Sequence, residues 1–247
     1  MKAIEIDWKS WKDALVDLIF PGECPICEEG AYLEGSSFGC LSCLDSLIWL
    51  NASRCKICGE SMPLPIAIEL ECPSCRECRP SFSAGRSMFQ LDEKGRALVH
   101  AIKYGGEKRL VGDACHWIKR SDGFRDFIYN AVLVPVPLHK KKMRKRGFNQ
   151  SVWIAEEFAK VAGGRTVVYD CLERKRPTQT QTKLNRSERK NNVKNAFALR
   201  SGTCLDGFSE IVLIDDVYTT GSTLDACTKV LLGAGCSKVK VATMGRG

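Results

Sequence analysis

The stretch IVLIDDVYTTGSTL, positions 211–224, holds the residue types best suited to chemistry. Two carboxylates, Asp215 and Asp216, stand side by side in a chain of formal charge +8, after four apolar residues and before hydroxyls clustered round one glycine. Paired acids leaving a strand present oxygens that can accept from the two hydroxyls of a ribose. The TTGST that follows has the makings of a phosphate cup. It offers backbone N–H groups at a helix N-terminus, hydroxyl donors from Thr219, Thr220, Ser222 and Thr223, and Gly221 to let the backbone come close. A sugar phosphate satisfies both halves at once. An acidic turn followed by a Ser/Thr helix cap is the plainer reading of the same letters, but the apolar run before and the helical pattern after tell against it.

Cysteine supplies a second chemistry. Of 14 cysteines, nine fall between Cys24 and Cys78, and eight of these form the CxxC pairs Cys24/Cys27, Cys40/Cys43, Cys55/Cys58 and Cys72/Cys75. Two-residue spacing closes a knuckle with both sulfurs on one side, which is how thiolates hold zinc tetrahedrally. Offsets of 31 residues (Cys24 to Cys55) and 32 residues (Cys40 to Cys72) mark an internal duplication, hence two tandem metal units. The repeat favours sequential sites, Cys24, Cys27, Cys40 and Cys43, then Cys55, Cys58, Cys72 and Cys75. An interleaved arrangement stays open, and because Cys75 and Cys78 also form a CxxC, Cys78 is an alternative to Cys72. A segment so small and poor in core residues is expected to depend on metal for its fold. The five downstream cysteines read as small buried hydrophobes.

The excess positive charge is local. HKKKMRKR, residues 139–146, has six Lys or Arg and no acid, and residues 173–194 have eight Lys or Arg against two Glu; together they carry +12 and leave −4 for the rest. A solvated face explains one such run, whereas two that flank one pocket call for an anionic ligand. The first 21 residues carry acids throughout and no continuous apolar run, which reads as neither a signal peptide nor a membrane span. The expected compartment is the reducing cytoplasm, where clustered CxxC pairs are metal ligands rather than disulfides. His100 and His116 fall in helical patterns and read as structural, and His139 reads as a bystander at the edge of the first basic run.

These groups need a scaffold to position them. Trp8, Trp11, Leu15, Leu18 and Ile19 recur at helical spacing, with Pro21 and Gly22 ending that helix. Ala97, Leu98, Ala101 and Ile102 predict a helix closing near Tyr104, and a second helix spans about residues 110–118. AVLVPVPL (131–138), RTVVYDCL (from Arg165), residues 211–214 and residues 238–243 read as strands. Ile154, Phe158, Val161 and Ala162 mark a helix face closed by Gly163 and Gly164, and residues 223–232 a further helix. RKRPTQTQTKLNRSERKNN, residues 174–192, reads as a long loop leading into a short helix. Alternating strands and helices predict an α/β fold with a mostly parallel sheet covered on both faces. Ligands of such sheets sit beyond the carboxyl ends of the strands, so HKKKMRKR and DDVYTTGST should share one rim.

The apolar strand, acid pair and Thr/Gly-rich loop resemble the type I phosphoribosyltransferases. The match extends further: VPVPLHKKKMRKRGFNQS (134–151), QTKLNRSERKNNVKNAFAL (181–199), IDDVYTTGSTL (214–224) and the upstream CxxC pairs resemble the ComF family associated with bacterial natural competence. The resemblance spans nearly the whole chain. It implies an N-terminal helix with tandem four-cysteine zinc ribbons in residues 1–80 and a Rossmann-like phosphoribosyltransferase-type domain in residues 81–247. Two zinc ions are implied, with Mg²⁺ accompanying the substrate 5-phosphoribosyl-1-pyrophosphate, and the family pattern prefers Cys72/Cys75 as the last ligand pair.

Carried over by position, Asp215 and Asp216 resemble the ribose contacts, and Thr219, Thr220, Gly221, Ser222 and Thr223 the 5-phosphate loop. Lys140, Arg144 and Arg146 are the candidate charges facing pyrophosphate. Arg176, Gln181 and Arg189 resemble parts of the loop that closes over substrate in related enzymes. Relatives acting on 6-oxopurines carry an acid where this chain has Thr219, which disfavours a hypoxanthine or guanine substrate. With so little chain after the last strand, any hood over the acceptor has to come from the N-terminal half. Two functions follow as expectations. One is phosphoribosyl transfer to an acceptor in the service of DNA uptake. The other is a non-catalytic sensor or single-stranded DNA binder that uses the same pocket and basic segments, with competence helicase or recombination proteins as partners.

Overall fold

The computed structural model describes residues 24, 26–29, 39–51, 53–62, 71–106, 108–176, 195–208 and 210–247. The helix expected around Trp8 to Ile19, residues 177–194 of the second basic run, and with them Gln181 and Arg189, lie outside the described residues. Strands in chain order are β1 (Ala84–Gln90), β2 (Val132–Pro135), β3 (Val167–Val168), β4 (Leu172–Arg174), β5 (Phe197–Leu199), β6 (Glu210–Tyr218) and β7 (Lys238–Arg246). The helices are α1 (Leu41–Asp45), α2 (Pro73–Glu77), α3 (Glu93–His100), α4 (Lys108–Val111), α5 (Ala114–Arg120), α6 (Phe124–Ile128), α7 (Lys140–Arg146), α8 (Gln150–Ala162) and α9 (Ser222–Gly233). No helix among the described residues is long and apolar enough to cross a membrane.

Five strands form one sheet in the order β1-β7-β6-β2-β3, and every pairing in it is parallel. Parallel strands are covered on both faces, and the apolar residues of β6 and β7 divide accordingly. Val212, Ile214, Ala242 and Met244 face a core built with Trp117, Ile154 and Phe158. Ile211, Leu213, Val239 and Val241 face the opposite core, with Leu224 and Leu231 of α9 and the second group of cysteines. A separate antiparallel ribbon pairs β4 with β5.

Several expectations are corrected. β6 does not stop at Ile214; it runs to Tyr218, with Asp215 paired to Thr243 and Val217 to Gly245, so the two acids lie within the strand. The neighbouring β7 is equally long and satisfies the backbone there, which a carboxylate side chain at a strand end does not prevent. The strand expected from Arg165 breaks into β3 and β4 at a tight turn where the Cys171 amide donates to the Tyr169 carbonyl at 3.0 Å. The helix expected over 110–118 is two, α4 and α5, separated where the Asp113 carboxylate turns aside to accept from the Gly39 amide at 3.3 Å. The basic run, for which the sequence pattern marked no helix, forms the helix α7. His139 Nδ1 accepts from the Lys141 amide, Gly147 ends it with φ 82°, and Arg144, Lys145 and Arg146 occupy the last turn, where the helix dipole favours cations. β1 has no counterpart in the sequence reading.

Contacts cross from the cysteine-rich region onto the sheet. The Leu50 amide donates to Met88 and the Gln90 amide to Ile48, so residues 48–50 run along β1. A Cβ at Gly85 would stand 2.9 Å from the Cys58 carbonyl oxygen, so β1 and the second cysteine knuckle meet backbone to backbone at a position that admits only glycine.

Candidate functional site

Two four-cysteine groups form in the N-terminal region, Cys24, Cys27, Cys40 and Cys43, and Cys55, Cys58, Cys72 and Cys75, each with its sulfurs within 4.8 Å of one another. Zinc bound tetrahedrally at about 2.3 Å demands sulfurs about 3.8 Å apart. Cys27 and Cys40 lie 3.8 Å apart and Cys58 and Cys72 3.6 Å, so both groups fit the ion. The two knuckles also repeat in detail. The Cys40 amide donates to Cys24 Sγ at 3.3 Å, and the Cys72 amide donates to Cys55 Sγ at 3.3 Å. Cys78 is exposed and belongs to neither group. Such backbone donors hold the thiolates that a metal requires.

At the carboxyl end of the sheet lies a cavity of about 300 Å³. Its floor is Asp215, Asp216 and Val217, one wall is residues 219–224, and the facing wall carries Lys103, Lys142, Arg146 and Arg174. The two rims expected to meet do meet. Ser151 Oγ donates to Asp215 Oδ1 at 2.9 Å, and the Asp216 amide donates to the same oxygen at 2.9 Å. Asp216 Oδ2 accepts from Gln150 Nε2 at 3.1 Å and pairs with Lys103 Nζ at 2.8 Å. Arg146 Nη1 donates in turn to Gln150 Oε1. Each acid thus keeps an oxygen outside these contacts.

The loop opposite ends in a helix N-terminus. Gly221 has φ 71° and precedes Ser222, the first residue of the twelve-residue α9. A Cβ at Gly221 would sit 2.5 Å from Tyr218 Oη, so glycine is required twice over. Thr220 Oγ1 and Ser222 Oγ share a hydrogen bond of 2.9 Å, which aligns hydroxyls across the turn.

Electrostatics divides the cavity. Burial, and then the charge of Asp216, push the Asp215 carboxyl up to about 7. Burial opposes the charge of Lys103, but the neighbouring Asp216 and Asp215 outweigh it and leave Lys103 raised. Lys142 lies on the other side of this balance: burial, then the charges of Arg174, Arg146 and Lys103, lower it. Burial likewise lowers Arg174. Four cations against two carboxylates line the cavity, and the cations crowd one another. An anion with hydroxyls beside it would relieve that crowding and use the acids.

Of the residues singled out in the sequence, Asp215, Asp216, Arg146, Thr219, Thr220, Gly221, Ser222 and Thr223 line this cavity. Lys140 and Arg144 do not. They fall on the other face of α7 and line an adjoining cavity of about 340 Å³ with Met143, Asp170 and Arg200. Residues four apart on a helix share a face, so Lys142 and Arg146 go to the acid pocket together. Arg176 is exposed past the end of β4 and lines neither cavity. Lys103, Lys142, Gln150, Ser151 and Arg174 were missed. Gln150 and Ser151 close the GFNQS stretch already quoted, and Lys103 precedes the Tyr-Gly-Gly that marked a helix end, but only the fold reveals what each one faces.

Residues 15–79 match the double zinc ribbon domain family. Over 233 residues the chain is 29% identical to the DNA utilization protein YhgH of Salmonella typhimurium, covering 91% of this chain and 96% of that protein. It is 26% identical over 213 residues to the competence protein ComFC of Bacillus subtilis, covering 79% and 78%. It is also 31% identical over 109 residues to the competence protein F of Haemophilus influenzae, covering 44% and 47%.

Proposed function

The chain belongs to the ComF family of competence and DNA utilization proteins, and from that premise we propose that residues 81–247 form a phosphoribosyltransferase-like domain whose acid pocket binds 5-phosphoribosyl-1-pyrophosphate, carried by a zinc-ribbon region in residues 1–80, in the service of DNA use. One observation carries the reading: a single cavity sets two carboxylates, a glycine-hydroxyl loop at a helix N-terminus and a surplus of crowded cations within reach of one small ligand. Asp215 and Asp216 would accept from the ribose hydroxyls, held in place by Ser151, Gln150 and Lys103. Residues 219–223 would take the 5-phosphate on backbone N–H groups and hydroxyls. Lys142, Arg146 and Arg174 would face the pyrophosphate, with Mg²⁺ arriving as that group's own counterion. In transfer, the bond from the anomeric carbon to the pyrophosphate oxygen breaks, the leaving group takes the electron pair, and the acceptor's lone pair closes on the same carbon. The protein contributes by stabilising the charge that moves onto pyrophosphate while the sugar is cationic.

Calorimetry with the donor and Mg²⁺ tests the pocket. Saturable binding is expected, weakened roughly 100-fold or more when both acids become asparagine, because two hydrogen bonds to charged acceptors are replaced by weaker ones. Unchanged affinity in the Asp215→Asn, Asp216→Asn protein would refute the assignment. Pyrophosphate release separates transferase from sensor. The sensor reading is supported by α7, whose Lys140 and Arg144 face away from the acid pocket toward a second cavity where nucleic-acid phosphates could bind.

A further inference from the structure

Tyr218 is the last residue of β6 and leads directly into the loop at residues 219–223. Its buried ring lies against that loop: a Cβ at Gly221 would stand 2.7 Å from Tyr218 Cζ and 3.1 Å from Cε2. A turn at positive φ without a side chain of its own has this ring for a floor. What holds the ring comes from the second group of cysteines. Phe82, four residues after Cys78, meets it edge-on at 6.2 Å between centroids and 87° between planes. The Arg246 guanidinium lies 4.3 Å from its centroid, with Nη1 on the Cys58 carbonyl and Nη2 3.2 Å from Cys58 Sγ. Tyr218 shares one core with Cys55, Cys58, Cys72 and Cys75. A second tie bypasses the ring. The Ser81 amide donates to Asp225 Oδ1 at 2.6 Å, and the Asp225 amide donates to the Gly221 carbonyl at 2.8 Å, so the chain leaving the second group is bonded to the first turn of α9. The first group of cysteines has a different setting. Ile26, Leu44 and Leu47 beside it pack with Trp117 in the core on the other face of the sheet, and the Gly39 amide bonds Asp113 at the start of α5.

We infer that Tyr218 is a positioning residue through which zinc held by Cys55, Cys58, Cys72 and Cys75 fixes the phosphate loop, and through which phosphate in the loop tightens that zinc's hold; this coupling rests on the assignment of residues 219–223 to the 5-phosphate. A closed knuckle presents the Cys58 carbonyl and sulfur to Arg246 and carries the chain on to Ser81 and Phe82. When the knuckle opens these anchors go together, because a ribbon this small depends on its metal for its fold. Tyr218 is then free to leave Gly221, and the amides and hydroxyls of the turn lose the alignment that a phosphate needs. A ligand that binds the aligned loop better than the loosened one must favour the closed knuckle by the same factor. The two zinc groups therefore differ in what they answer to.

The experiment follows zinc release into a chromogenic chelator from the full zinc-loaded chain, with and without ribose 5-phosphate at a concentration that calorimetry shows to be saturating. Ribose 5-phosphate should slow one of the two equivalents about tenfold, within the usual span of site-to-site coupling, and leave the other at its ligand-free rate. In Cys27→Ser, which disables the first group, the remaining equivalent should be the protected one. In Tyr218→Leu, again saturated, protection should fall to within about twofold of none, and Tyr218→Phe, which keeps the ring under Arg246, should restore it. The native and Cys27→Ser results decide the coupling, and the Tyr218 pair decides its route. General stabilisation by the ligand would slow both equivalents alike. That result, no slowing of either with ligand bound, an unprotected equivalent in Cys27→Ser, or undiminished protection in Tyr218→Leu overturns the inference while leaving the sugar phosphate site standing. Failure of the native protein to bind ribose 5-phosphate at all overturns the pocket reading, and this inference with it.

Discussion

Asp215 accepts from Ser151 and from the Asp216 amide, yet burial and the adjacent acid leave it titrating at about 7. An unfolded aspartate releases its proton near about 3.9. Between those values the folded chain holds a proton that the unfolded chain has lost, so stability falls as pH rises from about 4 to about 7. Asp215→Asn keeps the acceptor for Ser151 and removes the charge. Urea denaturation should show the ligand-free variant gaining stability over the native chain by on the order of 2 kcal/mol between pH 5 and pH 8. An unchanged difference between the two proteins over that range would mean that Asp215 ionises without cost. A site that is costly without a ligand is what binding sites tend to be. The acid pair was legible in the sequence because two adjacent carboxylates after an apolar run are rare. Lys103 was not, since an ion pair between a helix and a distant strand has no marker in local sequence.

At the scale of the element, the strand-loop-helix from β6 through α9 was read correctly in kind, and its strand boundary was misplaced because propensity penalises acids where tertiary pairing with β7 tolerates them. β1 was missed because AGRSMFQ mixes glycine, arginine and glutamine without clean alternation. It is an edge strand whose partners are β7 and residues 48–50. The basic helix escaped notice because like charges four apart disfavour an isolated helix. Its six cations are held by an N-cap, a glycine terminus and the cavities on either side. The tightest requirement lies between β6 and α9. Gly221 sits at φ 71° with the Tyr218 hydroxyl where a Cβ would go, and that tyrosine is held edge-on to Phe82 at 6.2 Å and under Arg246 at 4.3 Å. Gly221→Ala should therefore cost about 2 kcal/mol by denaturation and displace the loop hydroxyls from any phosphate. A loss below about 0.5 kcal/mol would show that Tyr218 swings aside.

Across the whole molecule, the zinc ribbons and the sheet are tied by the far end of the chain. Arg246 closes β7, donates through Nη1 to the Cys58 carbonyl at 2.6 Å and through Nε to Glu60 at 2.8 Å, and brings Nη2 to 3.2 Å from Cys58 Sγ. Burial pushes the Cys58 thiol up to about 11, and the Arg246 guanidinium is the foremost influence drawing it back toward the thiolate. A zinc bound by four thiolates carries net negative charge, and a guanidinium beside one sulfur offsets it in a buried site. Arg246 reaches the second group of cysteines, whereas in the first group Cys24 Sγ accepts from a neutral donor, the Cys40 amide. Among the described residues, the guanidinium at the second group is what distinguishes the duplicated knuckles, which otherwise share the amide-to-sulfur contact. Arg246→Ala should loosen the second zinc about 10- to 100-fold and leave the first unchanged. Zinc release into a chromogenic chelator, followed over time, should become biphasic, with one equivalent leaving faster and the other at the native rate. Equal acceleration of both would assign Arg246 to general stability, and no acceleration would remove it from the metal's environment. The same contact makes metal and sheet a single cooperative unit, because the knuckle that releases its zinc also releases the end of β7, the strand paired with β6 beneath the acid pair.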